Sequence, residues 1–262
     1  MMKINTKSDE GKVLREKYAI RGVPTVVLID QGGVEIDRIV GYEKREPWVK
    51  EILGYAFNVG TLADLKAQAD EKKSGELLYK VAMKYYDRGS YADASAYIGK
   101  AQADPANSDE LKGLIGLLEG ECLLQTEPEK GKKLLRGIMT GADKDRAEAA
   151  FEDLVGYYRK NKDDDGTVSI FKEMLAKKGD DKDFLNSYAW RMAEIGRELE
   201  SAAAAARKAV ELSKDDPQVL DTLAEVYYKM GKKKLAVETI EKAIAKEPED
   251  EYYKEQKAKF LE

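Results

Sequence analysis

The sequence offers few residues for catalysis. It contains no histidine and a single cysteine, Cys122. Without histidine the chain lacks the usual proton shuttle near neutral pH, the commonest metal ligand and any Ser-His or Cys-His pair. One cysteine also excludes a disulfide within the chain and a CxxC pair. We therefore predict no catalytic residue and no enzymatic activity for the sequence as it stands.

Three further patterns have a chemical and a structural interpretation, and the structural one is favoured for each. Asp163, Asp164 and Asp165 are consecutive, without the alternating spacing and distal glutamate of a calcium loop, so we expect a solvated turn. The glycines near residues 22 and 32 match no phosphate-binding pattern. Cys122 lies in a leucine-rich helical stripe, which predicts a buried thiol. We accordingly expect no metal and no cofactor.

Composition excludes further classes of function. The 262 residues include 45 Lys+Arg and 50 Asp+Glu, which gives a net charge of -5, and 36% of residues are charged. Acidic and basic residues are interleaved, so no basic cluster predicts nucleic-acid binding. No apolar run approaches the length of a membrane span, and the N-terminus lacks the apolar core of a signal peptide. These features predict a cytoplasmic protein of one or two domains, or an exported one if a longer N-terminal segment precedes it.

The first 57 residues have the pattern of a small α/β unit. A strand is predicted at Met2–Asn5, followed by a helix from Ser8 to about Tyr18. Its inner face would comprise Val13, Leu14 and Tyr18. The apolar run 25–29 predicts a strand covered on both faces. Turn residues 30–33 then lead to the alternating segment 34–40, a hairpin partner with one wet face. A helix from about Pro47 to Phe57 ends the unit.

From about residue 75 the chain repeats with a period near 34 residues. The clearest unit, residues 217–250, has two helical stripes separated by a glycine turn. Its marker residues are Leu220, Leu223, Ala224, Tyr227, Gly231, Ala236, Ile240, Ala243 and Pro248. Units 75–108 and 182–216 repeat the succession, whereas 109–142 and 145–180 have degraded spacing. Residues 58–74 are predicted to form a linker or helix, and 251–262 a capping helix.

The helical units resemble the tetratricopeptide repeat (TPR) family through these small-residue, tyrosine and glycine positions. The resemblance implies a mainly α fold, a superhelix of helical hairpins whose concave face binds an extended peptide or another protein. First-helix positions that point away from the packing stripe would line this face. We name them the groove residues: Tyr79, Met83, Tyr86, Asn186, Trp190, Asp221, Glu225 and Tyr228.

Residues 1–57 resemble the second half of a thioredoxin fold, in the order strand, helix, hairpin and helix. The segment Arg21-Gly22-Val23-Pro24-Thr25 carries the resemblance, together with Asp37-Arg38-Ile39-Val40-Gly41. It implies a cis-proline at Pro24 and a substrate-binding loop of Val23, Pro24 and Thr25. The family's CxxC pair precedes this region and has no counterpart here, so the redox activity does not carry over.

Two functions remain open from the sequence. The first is a protein-interaction scaffold that binds a polypeptide in a TPR groove, with a redox-inactive thioredoxin-like remnant at its N-terminus. The alternative is the C-terminal portion of a thiol-disulfide oxidoreductase whose CxxC pair lies upstream. Loss of the family's central strand would leave exposed strand edges, through which the chain could form a homodimer.

Overall fold

The computed structural model describes residues 3–41 and 45–262, and these residues form a mainly helical fold, as predicted. Fourteen helices and two strands lie within the described ranges. The chain divides into two compact units, Met1–Asp153 and Leu154–Glu262. The division into residues 1–57, 58–74, 75–250 and 251–262 stays a prediction.

The N-terminal elements are α1 (Asp9–Lys17), β1 (Thr25–Ile29), β2 (Glu35–Val40) and α2 (Arg45–Ala56). Ser8 caps α1, since its Oγ accepts a hydrogen bond from Gly11 N at 3.1 Å. The two strands pair antiparallel, with Val26 opposite Ile39. Asp30 closes the turn by accepting backbone hydrogen bonds from Gly32 and Val34. The predicted helix and hairpin are therefore confirmed.

Other expectations for this region are wrong. Residues 3–5 form no strand, and Met2 lies outside the described residues. Val13 is 65% exposed, so it does not belong to the inner face of α1, whereas Leu14 and Tyr18 are half-buried. Strand β1 is only partly buried, because it belongs to a sheet of two strands.

The second strand also departs from the predicted alternation of buried and exposed residues. Asp37, Arg38 and Ile39 are consecutive and all buried. Successive side chains of a strand point to opposite faces. Both faces of β2 are therefore covered at this point, and no wet face exists there.

Helix pairs fill the remainder of the chain. They are α3 (Leu62–Lys72), α4 (Gly75–Asp87), α5 (Tyr91–Gln102), α6 (Asp109–Thr126), α7 (Pro128–Met139), α8 (Lys144–Lys160), α9 (Asp164–Leu175), α10 (Lys182–Ile195), α11 (Leu199–Ser213), α12 (Pro217–Lys229), α13 (Lys233–Lys246) and α14 (Glu251–Leu261). Helix α3 packs against α4, and the pairs α4/α5, α6/α7, α10/α11 and α12/α13 pack as hairpins. First helices are followed by glycines 89, 196 and 231, whose φ values of 74°, 74° and 72° glycine adopts without a Cβ penalty.

Small and apolar residues form the core where the hairpins meet. Ala236, Ile240 and Ala243 of α13 are fully buried, and Leu220 of α12 is nearly so. In the first unit, α6 and α7 approach so closely that a Cβ on Gly131 would lie 2.5 Å from Leu124 N. Close helix approach therefore requires a glycine at this position.

Candidate functional site

Three groove residues of the first unit lie along one side of α4. Tyr79, Met83 and Tyr86 are spaced by four and three residues, which places them on the same helical face. All three are half-buried and pack at the margin of the core that contains Val81 and Ala82. This face therefore offers partly accessible aromatic and thioether groups on a rigid helix.

An acid pair on the next two first helices extends this face. Burial raises the pKa of Tyr86, and the negative charge of Glu121 on α6 raises it further. The carboxyls of Glu121 and of Asp153 on α8 likewise influence each other's pKa. Burial of Tyr79 raises the pKa of its hydroxyl, and the charge of Glu121 raises it further. Glu121 thus acts electrostatically on groups of both α4 and α8.

Burial raises the pKa of both acids. Burial raises the pKa of Glu121, while interactions with the nearby Tyr86 and Asp153 side chains lower it. Burial and the charge of Glu121 raise the pKa of Asp153 to about 7. The Oδ2 atom of Asp153 is buried without a hydrogen-bond partner among the described residues, which is far less costly for a neutral carboxyl than for a carboxylate. Burial without a partner therefore favours the protonated form of the Asp153 carboxyl.

Arg21, from the loop before β1, reaches the same region of the first unit. Its guanidinium lies 4.9 Å from the ring centroids of both Tyr86 and Tyr91. It donates hydrogen bonds to the Tyr86 carbonyl and the Tyr91 hydroxyl. The Arg21 charge also lowers the pKa of Glu121. A cation is thus already held on this aromatic surface by cation–π contacts.

A buried ion cluster connects β2 to α3 and α4. The Asp37 carboxylate is fully buried and accepts hydrogen bonds from Leu62 N at 2.6 Å, Arg88 Nη2 at 2.9 Å and Lys84 Nζ at 3.2 Å. Arg38 Nε donates to Glu35 at 2.8 Å. These bonds compensate the cost of burying the charges, and they fix the hairpin against the first helix pair.

The predicted substrate-binding loop lies at the start of β1. The Val23–Pro24 peptide bond is cis, and Val23 is 70% exposed. Thr25 Oγ1 donates a hydrogen bond to the Gly22 carbonyl at 2.8 Å.

Cys122 is fully buried on α6, as predicted, and burial raises the pKa of its thiol to about 12. A thiol in this state is a poor nucleophile.

The groove residues of α10 and α12 differ in exposure. On α10, Trp190 is 36% exposed and Asn186 is half-buried. On α12, Asp221 and Glu225 are each only 7% exposed, and Tyr228 is half-buried. A polypeptide can therefore reach Trp190 more readily than either acid of α12.

Helix α14 covers the groove residues of α12. The Tyr252 hydroxyl donates to Asp221 Oδ2 at 3.0 Å, and Lys259 Nζ donates to Glu225 Oε2 at 2.6 Å. The Phe260 ring packs 5.1 Å from the ring of Tyr228. Lys259 Nζ also lies 5.4 Å from the centroid of the Tyr228 ring. Burial raises the pKa of Asp221 to about 6, although its bond to Tyr252 lowers it.

Glu121, Asp153 and Arg21 were missed by the sequence analysis. Glu121 directly precedes Cys122 in a leucine-rich segment, and Asp153 lies between Phe151 and Leu154. A charged residue inside an apolar stripe is a signal that the side chain needs a buried partner. The degraded repeat spacing of 109–142 and 145–180 left these positions without an assigned face.

Asp153→Asn is expected to make folding stability less dependent on pH. Between pH about 4 and 7 the folded chain holds a proton on Asp153 that the unfolded chain releases, so wild-type stability falls as pH rises. The contribution is at most about 1.4 kcal/mol per pH unit. Thermal unfolding followed by circular dichroism at pH 4.5, 5.5, 6.5 and 7.5 measures it. Equal pH dependence in both proteins would contradict the assignment of the proton.

Comparison with known proteins supports the repeat architecture. Residues 195–260 match the profile of the tetratricopeptide repeat family. The crystal structure of a TPR protein from Parabacteroides merdae is 15% identical, has a TM-score of 0.51, and covers 71% of this chain and 72% of its own. The helix pairs have the TPR fold. This likeness concerns the TPR fold alone.

Two further solved TPR structures are similar over most of their length. YrrB, described as a TPR protein with an unusual peptide-binding site, is 15% identical with a TM-score of 0.47, covering 74% of this chain and 97% of its own. MamA is 17% identical with a TM-score of 0.45, covering 68% and 94%. No curated protein matches the sequence.

Two kinds of feature are absent from residues 3–41 and 45–262. Within these ranges no helix has both the length and the apolar character needed to cross a membrane. No group of three or more cysteine, aspartate or glutamate side chains is arranged there to hold a metal ion.

Proposed function

We propose that this chain is a scaffold that binds an extended polypeptide along the groove residues of its TPR hairpins. The observation that carries the proposal is the α4 face, where Tyr79, Met83 and Tyr86 stay partly exposed beside the Glu121–Asp153 pair. Aromatic contact area with a few hydrogen-bonding groups suits recognition of an extended peptide. Trp190 on α10 offers a comparable aromatic contact in the second unit.

The N-terminal α/β elements have a supporting role in this proposal. The Asp37 cluster holds β2 to α3 and α4 through Leu62, Lys84 and Arg88. A thioredoxin-like remnant attached in this way would close the N-terminal end of the TPR hairpins and present the Val23–Thr25 loop as a second docking surface. Homodimer formation through the edges of β1 and β2, and membership of a longer oxidoreductase, stay predictions.

Display selection tests the proposed function with random 12-residue peptides as the probe. The immobilised full chain is expected to enrich related peptides over a bare-matrix control. Tyr79→Ala or Trp190→Ala is expected to weaken the binding of peptides that contact the respective face by about tenfold, since truncation of an interface aromatic typically costs more than 1 kcal/mol. Fluorescence anisotropy of labelled peptides measures the loss.

Phe57→Ala provides the matched control. This aromatic residue is 79% exposed and follows α2 directly, so it belongs to none of the hairpin helices. Its removal is expected to leave peptide affinity unchanged. Failure to enrich any peptide family, or equal losses for Phe57→Ala and the two groove variants, would overturn the proposal.

A further inference from the structure

We propose that a shallow depression beside α1 binds an acidic stretch of the polypeptide that the scaffold holds. The inference rests on the proposed function and names the chemistry of the partner at one end of the α4 face. The depression lies in the first unit, before the TPR hairpins in the chain, and has a volume of about 550 Å³. We name it the basic depression after the four cations that line it: Lys7, Lys12, Arg15 and Arg21.

The turn that follows α1 brings these cations together. Lys12 and Arg15 are three residues apart, which places them on one face of α1. The chain then folds back over the end of the helix, since Ile20 N donates a hydrogen bond to the Arg15 carbonyl at 2.8 Å. In return, Arg15 Nε donates a hydrogen bond to the Ile20 carbonyl at 3.0 Å. These two bonds hold Arg15 against the turn, and Arg21 follows directly at the edge of the same depression.

Arg21 belongs both to the basic depression and to the C-terminal end of the α4 face. Its guanidinium lies 4.9 Å from the ring centroids of Tyr86 and Tyr91. It donates hydrogen bonds to the Tyr86 carbonyl and to the Tyr91 hydroxyl. A guanidinium has five N–H donors, so these two bonds leave others for a ligand. Because Tyr86 is a groove residue, a polypeptide that contacts it lies next to the depression.

The protein's own acids do not compensate the charge of the basic depression. Among the described residues that line it, Glu16 is the one carboxylate, and Lys12 pairs with Asp9 at 2.9 Å. The lining cations that form no ion pair within residues 3–41 and 45–262 are Lys7, Arg15 and Arg21. The whole chain has a net charge of -5, so this local excess of positive charge is the reverse of its average. Such a cluster attracts ligands of negative charge.

The exposure of these cations favours a run of carboxylates over a small anion. All four side chains are exposed around an open surface, whereas a small-molecule site encloses most of its ligand. Glutamate and aspartate side chains along an extended segment can reach several exposed cations at once, and a guanidinium binds a carboxylate through paired hydrogen bonds. A nucleic acid is bound through a longer row of cations along its phosphates. The compact group of four therefore suits an acidic polypeptide.

The test uses peptides that are selected on the full chain and depend on Tyr79. Each is extended by four glutamates, at its N-terminus or at its C-terminus, and compared with the same peptide extended by four glutamines. Glutamates at one of the two ends are expected to tighten binding about tenfold in about 50 mM NaCl, because the depression lies at one end of the α4 face and several exposed ion pairs form together. Fluorescence anisotropy measures this gain, which is expected to vanish in about 500 mM NaCl.

A double variant locates the gain in the basic depression. Lys7→Gln combined with Arg15→Gln is expected to remove most of the gain, while the glutamine-extended peptides bind as before. The matched control, Lys50→Gln combined with Lys72→Gln, removes two exposed charges from α2 and α3 and is expected to keep the gain. Circular dichroism verifies that both variants fold.

A second double variant keeps the turn intact. Lys7→Gln combined with Lys12→Gln leaves the hydrogen bond between Arg15 and Ile20 in place and is expected to reduce the gain in the same direction. It therefore tests the charge of the depression even where loss of the Arg15 side chain disturbs the fold.

The outcomes separate the inference from the proposed function. Equal binding of glutamate-extended and glutamine-extended peptides in about 50 mM NaCl, or an equal gain in the depression variants and the control, would overturn the inference and leave the scaffold function intact. Tighter binding of a labelled oligothymidylate than of the glutamate-extended peptide would also overturn it, by assigning the depression to nucleic acid. Absence of any selected peptide would overturn the proposed function as well.

Discussion

Replacing Asp37 by alanine is expected to lower the free energy of unfolding of the first unit by about 3–5 kcal/mol, the usual cost of removing one partner of a buried ion pair. The carboxylate is fully buried and is the common acceptor for Lys84, Arg88 and the Leu62 amide. Without it two cations face each other in the cluster, and Glu35 alone remains to pair with Arg88. The hairpin would lose its main polar attachment to α4.

Urea unfolding in a Trp190→Phe background measures this effect, because Trp48 on α2 then reports the first unit alone. The control is Asp70→Ala, which removes an exposed carboxylate from the last turn of α3 and is expected to change stability by less than about 0.5 kcal/mol. Asp37→Asn keeps the shape and removes the charge, so it is expected to cost most of the same free energy. A loss for Asp37→Ala no larger than that for Asp70→Ala would contradict the role of the cluster.

Phe260→Ala is expected to destabilise the second unit by about 3–5 kcal/mol, the range for truncating a buried phenylalanine. Phe260 is fully buried and packs its ring against Tyr228, while the other apolar anchor of α14 is Tyr253. Loss of the ring weakens the attachment of α14. The amides of α14 are then expected to exchange with solvent faster, and Asp221 and Glu225 are expected to become accessible.

Leu261→Ala is the matched control for this prediction. It removes a neighbouring apolar side chain from the same helix, but Leu261 is 65% exposed, so little packing is lost. Hydrogen exchange of residues 251–262 and urea unfolding followed by Trp190 fluorescence in a Trp48→Phe background compare the two variants. Similar losses for both variants would show that Phe260 does not anchor the helix.

Because α14 covers the groove residues of α12, the proposed scaffold offers fewer accessible groove residues in its second unit. Asp221 and Glu225 are occupied by Tyr252 and Lys259, so the α12 face is closed while α14 is attached. The accessible groove residues are then Trp190 in the second unit and the α4 face in the first. The two faces belong to different units and are expected to act as separate contacts for a polypeptide.

The sequence was most informative where structure depends on near neighbours. The stripe Leu220, Ala224, Ala236 and Ile240 is buried as predicted, because helical periodicity places these residues on one face whatever the partner is. Gly231 adopts a positive φ at the predicted turn for an equally local reason. Ser8 likewise caps α1 through an amide three residues away.

Expectations that depended on distant partners were less successful. The alternating pattern of 34–40 predicted one wet face, yet Asp37 is buried because Lys84 and Arg88 reach it from 47 and 51 residues further along the chain. Similarly, Tyr86, Glu121 and Asp153 come from three different repeats, two of which have irregular spacing. The capping role of 251–262 was predicted, but which groove residues it covers was not.

The sequence by itself thus determined the helical hairpins, their glycine turns and their apolar stripes, together with the lack of a histidine or a thiol pair for catalysis. Only the tertiary structure decided where charged side chains are buried and which groove residues stay accessible. The physical reason is that apolar burial follows the short-range period of a helix, whereas a buried charge depends on a partner that folding brings from elsewhere in the chain.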